Sequence, residues 1–103
     1  MANFEDLVER ERMRQDDKWG IQNHMPYVWL AILGEEYGEL QQAILERSFG
    51  DKEWADIEKE IIQCAAVLKA MWECAQRNPE WTSSFESIIY RPFETNKELP
   101  LRK

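Results

Sequence analysis

The sequence predicts an all-α protein, an antiparallel helical bundle formed by a single small domain. Only four glycines and four prolines occur in 103 residues, which disfavours a fold of short strands and turns. Apolar residues recur at helical spacing over long stretches, and 44% of the chain is hydrophobic, so the helices have apolar faces to bury. A domain of this size leaves much of its surface uncovered, and we therefore expect oligomerisation to complete the bundle.

The first predicted helix covers about residues 4–17. This segment is strongly charged, and its apolar face is small. That face consists of Phe4, Leu7 and Val8. A loop over residues 18–25 follows, in which Gly20 relaxes the backbone before the next helix begins.

The second helix is predicted at about 26–48, with a proline in its first turn. Gly50 and Asp51 then indicate a helix stop that is followed at once by an N-cap. Because so short a connection joins antiparallel neighbours, we expect a helical hairpin. The third helix is expected at about 52–77 and ends before Pro79.

Residues 1–103 are predicted to form one domain, with its core at about 4–77. Residues 78–103 form an aromatic C-terminal segment, in which we expect one short helix near 81–89 and a contact with a neighbouring subunit. A second apolar face on the third helix predicts further subunit contacts. Its members are Ile62, Ala66 and Ala70.

The net charge of −7 argues against a nucleic acid polymer as partner, because a polyanion needs a basic face. No apolar run approaches the roughly 20 residues that span a bilayer, and the start MANFEDLVER lacks the features of a signal peptide. We therefore expect a cytoplasmic protein with no membrane partner. Cys64 and Cys74 stand about 15 Å apart along one predicted helix and are expected to be reduced thiols.

Helical spacing assigns one main apolar arc to each long helix. The arc of the second helix consists of Trp29, Leu33, Tyr37, Leu40 and Ile44. The arc of the third helix consists of Trp54, Ile57, Ile61, Cys64, Leu68, Met71 and Trp72. Glu36 and Glu60 fall inside the edges of these arcs, with Glu39 and Gln63 beside them. An antiparallel hairpin therefore gathers these side chains at one partly buried point.

Carboxylates gathered in this way repel one another unless they are protonated, paired with basic groups or bound to a cation. Mg²⁺ suits them best, because it takes oxygen ligands and bridges to substrate phosphates, and Mn²⁺ is the alternative. A solvated acidic face is the competing interpretation, and the ordinary one for Glu35, Glu39 and Glu46. A di-iron bundle is disfavoured because it needs Glu-x-x-His pairs, and His24 is the only histidine.

The segments EEYGE at 35–39 and EIIQ at 60–63 together resemble the MazG-type all-α nucleotide pyrophosphohydrolases. The preceding RQDDKWGIQNHMPYVWLAILGEE looks like the lead-in of small phage-borne members, and the similarity covers about residues 9–77. The resemblance implies magnesium-dependent hydrolysis of a nucleoside triphosphate, with a dNTP expected, to the monophosphate and pyrophosphate. It also implies a homodimer or homotetramer. The metal ligands of the family carry over onto Glu35, Glu36, Glu39 and Glu60.

Gln63 departs from the family pattern, because it stands where the ExxD motif has its aspartate. An amide carbonyl can bind a hard cation but brings no charge and cannot act as a base. Glu53 and Asp56 form a second ExxD, less well placed because Glu53 stands at the helix start. The alternatives are therefore a nucleotide-binding or regulatory protein without turnover, and a helical interaction module with an acidic surface.

For the hydrolase, Glu36 is the predicted base that takes a proton from the attacking water, or Glu39 if Glu36 is occupied by metal. The candidate phosphate donors are Lys18 and Arg47. In the loop before the second helix, an aromatic face can stack on a base and polar groups can read its edge. These candidates are Trp19, Gln22 and His24. The competing interpretations are a core position for Trp19 and a loop hydrogen bond for His24.

Overall fold

The structure, a computed structural model, describes residues 2–50, 52–79 and 81. Within these ranges it consists of three helices: α1 (Phe4–Trp19), α2 (Pro26–Ser48) and α3 (Trp54–Arg77). The predicted all-helical class is confirmed for this part of the chain, and none of these helices has the length and hydrophobicity that crossing a membrane requires. The helix expected near 81–89 and most of the aromatic C-terminal segment lie outside the described residues.

The first helix begins at a capping box and ends at a glycine. The side chain of Asn3 accepts a hydrogen bond of 2.8 Å from the backbone N–H of Asp6. The helix ends at Trp19, two residues later than predicted, because the chain turns only at Gly20, whose φ of 76° lies in the left-handed region. Lys18 and Trp19 are therefore helical, and their assignment to a loop was wrong.

The second helix has the predicted bounds, and the connection to the third helix is short. Gly50 has a φ of 108° in this connection, a conformation that favours glycine. α3 begins at Trp54, two residues later than predicted, with Glu53 as its N-cap. The backbone N–H of Glu53 donates to the Asp56 carboxylate at 3.0 Å, which fixes the helix start there. Asp51, the predicted N-cap, lies outside the described residues.

The third helix packs against both of the others. α2 runs antiparallel to α3, as predicted, because Trp29 near the start of α2 packs against Cys74 near the end of α3. α1 runs in the same direction as α3, because Glu9 pairs with Lys69 and Arg12 pairs with Glu73 one turn further along both helices. Two different faces of α3 are therefore covered within one chain.

The core lies where α2 meets the C-terminal half of α3. Its buried members are Trp29, Val67, Ala70, Cys74, Ala75 and Trp81. Ala66 and Ala70, two members of the second apolar face of α3, are buried within the chain, and Ala70 belongs to this core. The subunit contact expected at that face stays a prediction. α1 packs against α3 with its own buried residues, Val8 and Arg12. Cys64 and Cys74 are free thiols.

Five side chains assigned to the main apolar arcs are exposed instead. They are Tyr37, Ile44, Trp54, Leu68 and Trp72. Each apolar arc is wider than the strip that one neighbouring helix can cover. α1 does not cover the remainder, because it packs on the side of the hairpin opposite to these five side chains. Trp54 and Trp72 of the third-helix arc therefore lie at the surface of this chain, whereas Trp29 of the second-helix arc is buried.

Candidate functional site

Glu36 lies in the middle of the inward face of α2. It is seven residues, or two helical turns, from the buried Trp29 on one side and from the buried Ala43 on the other. The sequence predicted a position for Glu36 just inside the edge of the apolar arc. In the structure Glu36 instead lies in line with two buried residues, nearer the middle of the buried face of α2. On the facing side of α3, Glu60 follows the buried Ile57 by three residues.

Three carboxylates meet where these two helices face each other. Glu36, Glu39 and Glu60 each offer one oxygen, and these oxygens all lie within 4.8 Å of one another. The Oε1 atoms of Glu36 and Glu60 are buried and have no hydrogen-bond partner among the described residues. A buried oxygen without a partner is costly, and more so when it is charged. The donor set and the two unpartnered oxygens fit a hard divalent cation.

Burial and mutual repulsion act on the ionisation of this cluster. Burial raises the pKa of Glu36 above 4.5, and the neighbouring charges of Glu39 and Glu60 raise it further. Burial and the Glu39 carboxylate likewise raise the pKa of Glu60, while Lys59 opposes this shift. The pKa of the Cys64 thiol is raised by burial and by the same carboxylates. Burial and mutual repulsion therefore both disfavour the ionised forms of Glu36 and Glu60 when no cation is bound.

A cleft of about 330 Å³ opens beside Glu36, between α1 and the α2–α3 hairpin. Its walls carry cations, an aromatic ring and amides. These side chains are Arg14, Lys18, Trp19, Gln22 and Gln63. Trp19 is 60% exposed, so the competing interpretation of Trp19 as a core residue was wrong. The Lys18 ammonium lies 4.8 Å from the centroid of the Trp19 ring, which places a cation and an aromatic face together at the mouth of the cleft.

Three predicted site residues are not brought into this arrangement. Glu35 is exposed and does not belong to the cluster of three carboxylates. The His24 ring packs edge-on against Trp29, with 5.0 Å between ring centroids, and does not line the cleft. Arg47 is exposed and lies eleven residues beyond Glu36, about 16 Å along the helix axis, too far to contact a phosphate held at Glu36.

Two charged residues of the cleft were not predicted. Glu11 and Arg14 project from α1 into the space beside Glu36, and they form an ion pair with 2.7 Å between Arg14 Nη2 and Glu11 Oε2. The sequence carries a weak signal for them, because Glu11, Arg14 and Lys18 share one helical face. That signal says nothing about which helix the face meets, and the direction in which α1 packs was not predicted.

The loop between α1 and α2 is fixed to the end of α3. Arg77 Nη2 donates to the backbone carbonyl of Gln22 at 2.8 Å, and Arg77 Nε donates to Asn23 Oδ1 at 3.1 Å. The Cys74 thiol contacts the carbonyl oxygen of His24 at 3.5 Å. These contacts hold the loop that carries Gln22 against the cleft.

Comparison of the chain with models of protein families, with curated proteins and with solved structures found no significant match. What the site can do must therefore follow from its own geometry and chemistry. That geometry combines a cluster of oxygen ligands with cations and an exposed aromatic face in one cleft.

Proposed function

We propose that the protein is a Mg²⁺-dependent nucleoside triphosphate pyrophosphohydrolase, with Mn²⁺ as the alternative cation. The expected reaction converts a nucleoside triphosphate, with a dNTP the expected substrate, to the monophosphate and pyrophosphate. One observation carries this proposal: Glu36, with a buried unpartnered oxygen and two further carboxylates near it, lines a cleft that also holds cations and an exposed tryptophan.

A nucleoside triphosphate is the ligand class whose parts match the parts of this cleft. Its phosphates need a divalent cation, and carboxylates commonly hold Mg²⁺ at phosphate-transfer sites. The phosphates also need donors, which Arg14 and Lys18 offer, and guanidinium groups bind phosphate in a bidentate manner. The base needs an aromatic face, which Trp19 offers. When bound, the cation neutralises charge on the phosphate oxygens and acidifies water.

The residues of the chain have distinct roles in this proposal. Glu36 takes the proton from the attacking water, with Glu39 as the alternative if Glu36 is occupied by the cation. Water attacks the α-phosphorus, the bond to the bridging oxygen breaks, and pyrophosphate leaves. Arg14 and Lys18 orient the phosphates during this step. Gln22, which lines the cleft, offers hydrogen bonds to the base edge.

A second candidate is a nucleotide-binding or regulatory protein without turnover. Gln63 favours it, because this uncharged amide lines the cleft beside Glu36 and the acidic cluster contains only three carboxylates among the described residues. The two candidates share the cleft and the cation, and they differ only in the release of pyrophosphate.

The test is Mg²⁺-dependent pyrophosphate release from a panel of dNTPs and NTPs. We expect release with the monophosphate as co-product, and a loss of at least about 100-fold in Glu36→Gln, which removes the base. Glu5→Gln is the matched control, because it removes the same charge from an exposed position of α1 outside the cleft.

Equal activity of Glu36→Gln and the wild type would overturn the proposed site. Orthophosphate as the product would overturn the proposed reaction. Nucleotide binding without release from any member of the panel would favour the second candidate, and Gln63→Asp is then the variant in which turnover is expected.

A further inference from the structure

Gln63 leaves the acidic site one negative charge short of a cluster with four carboxylates. Its amide lines the same cleft as Glu36 and brings no charge. Glu39 and Glu60 are the carboxylates that join Glu36 from the hairpin. A carboxylate from another element can add to the negative charge that holds a divalent cation in the cleft.

Glu11 on α1 is the remaining carboxylate that lines this cleft with Glu36 and Gln63. Only 13% of the Glu11 side chain is exposed, which is low for a carboxylate at a cleft wall. Glu11 also lines a second cleft of about 640 Å³, which continues along α1 and shares Arg14 and Gln63 with the first. It thus stands at the junction of the two spaces, facing α3 at the level of Gln63.

Glu11 is paired with Arg14, whose guanidinium can bind another anion in place of the Glu11 carboxylate. Arg14 donates to Glu11 through Nε at 2.9 Å and through Nη2 at 2.7 Å. The Arg14 side chain is 52% exposed and lines both clefts, so phosphate oxygens entering either cleft can reach its guanidinium. Gln15 donates a further hydrogen bond of 3.3 Å to Glu11, which keeps the carboxylate in place when Arg14 moves.

Glu11 and the acidic cluster share one space in this structure. Glu11, Arg14 and Glu36 all line the same cleft. Glu11 is nevertheless outside the group of carboxylates whose oxygens lie within 4.8 Å of one another. Glu11 therefore stands apart from the three oxygens that would bind the cation directly.

We propose that Glu11 supplies from α1 the negative charge that Gln63 lacks on α3, and that Arg14 exchanges Glu11 for the phosphates of the ligand. This inference rests on the proposed function, because it takes Glu36, Glu39 and Glu60 as the cation site. Glu11 is a positioning residue, which hydrogen-bonds water at the site and balances the charge of the cation. Arg14 neutralises the Glu11 carboxylate until a phosphate group binds Arg14 in its place.

Titration with Mn²⁺ alone tests the role of Glu11 without any activity assay. Glu11→Gln is expected to weaken Mn²⁺ binding about 10- to 100-fold, the range found when groups that support metal ligands are removed. The double variant Glu11→Gln/Gln63→Asp is expected to recover most of the affinity, because it moves the lost charge to the position where it was missing. Glu5→Gln is the matched control and keeps the wild-type affinity.

Arg14→Gln provides an independent test that leaves both carboxylates in place. Because it releases Glu11, we expect it to strengthen the binding of Mn²⁺ alone and to weaken the binding of a non-hydrolysable α,β-methylene dNTP. Weaker binding of Mn²⁺ to Arg14→Gln would overturn the exchange of partners. Thermal unfolding in EDTA checks that each variant is folded.

The titrations separate failure of this inference from failure of the proposed function. If Glu36→Gln loses Mn²⁺ and Glu11→Gln does not, the cation site stands and the role of Glu11 is overturned. That role is likewise overturned if Gln63→Asp fails to restore affinity to Glu11→Gln. If Glu36→Gln binds Mn²⁺ like the wild type, the proposed cation site is itself wrong.

Discussion

Glu36 combines two properties that a folded protein normally avoids in one side chain. It lies in line with buried residues of α2, and it shares its surroundings with two other carboxylates. Burial and those charges together raise its pKa, which means that the folded state disfavours its ionised form. A carboxylate placed in this way stabilises the fold only when it is neutral or bound to a cation.

Neutralising Glu36 should therefore stabilise the protein when no metal is present. A raised pKa contributes stability that is fully present below about 4.5 and is lost as the pH rises through the folded-state value. Glutamine does not ionise and suffers no such loss. We expect Glu36→Gln in EDTA to unfold at a higher temperature than the wild type at pH 7, with the difference vanishing towards pH 4.

The measurement is thermal unfolding in EDTA across this pH range, with Glu5→Gln as the control that shows no gain at pH 7. A wild type more stable than Glu36→Gln at pH 7 in EDTA would show that the carboxylate has a compensating partner.

Helical spacing predicted this part of the site well, because Glu36, Glu39 and Glu60 fall on facing sides of a hairpin whose connection is short. It failed for Arg47, since a position on the right face of a helix can still be several turns away. It also failed for Arg14, which lines the cleft from α1. The sequence could not show how α1 packs, because α1 has too few apolar residues to define its buried face.

Among the three helices, α3 is the one that packs against both of the others. Its contacts with α2 form the acidic cluster and the core, and its contacts with α1 place the cleft beside Glu36. The bounds of α2 were predictable, since Pro26 and Gly50 mark its ends. The partners of the faces of α3 were harder to predict, because an apolar face shows that something covers it and not which element does so. Ala66 and Ala70 illustrate this, since both are buried within the chain.

The contact between the end of α3 and the loop that joins α1 to α2 should affect ligand binding more than it affects the stability of the fold. Arg77→Ala removes the hydrogen bonds to Gln22 and Asn23 and frees the loop beside the cleft. We expect about tenfold weaker binding of a non-hydrolysable dNTP, as for the loss of one or two hydrogen bonds, with unchanged Mn²⁺ affinity.

Calorimetric titration of Arg77→Ala with each ligand provides this measurement. Arg47→Ala is the control, because it removes the same charge from an exposed position outside both clefts. Wild-type affinity of Arg77→Ala for the nucleotide would show that the loop needs no such anchor.

For the whole molecule, the α2–α3 hairpin has an apolar side that α1 does not cover. Its exposed members are Tyr37, Ile44, Trp54, Leu68 and Trp72. Large apolar side chains grouped on one side of a small protein mark a contact surface. Two hairpins that pack through this side would form a four-helix bundle. The sequence predicted oligomerisation through the second apolar face of α3 and through the C-terminal segment, and not through this side.

Replacing one residue of this apolar side with a charge should therefore prevent self-association. We expect the wild type to be a dimer or tetramer and Leu68→Glu to be a monomer, because a buried unpaired carboxylate at an interface is strongly unfavourable. Light scattering after size exclusion measures the mass of each species. Met13→Glu is the control, since Met13 is exposed on α1, away from this side. A monomeric wild type would refute the expectation.

Thermal unfolding at increasing Mg²⁺ concentration tests most directly whether Glu36, Glu39 and Glu60 form a divalent cation site. A cation that binds only the folded state raises the unfolding temperature progressively as its concentration exceeds its dissociation constant. We predict such a rise for the wild type and for Glu5→Gln, and none for Glu36→Gln or Glu60→Gln. An equal rise in all four proteins would contradict this cation site, because Mg²⁺ would then bind elsewhere.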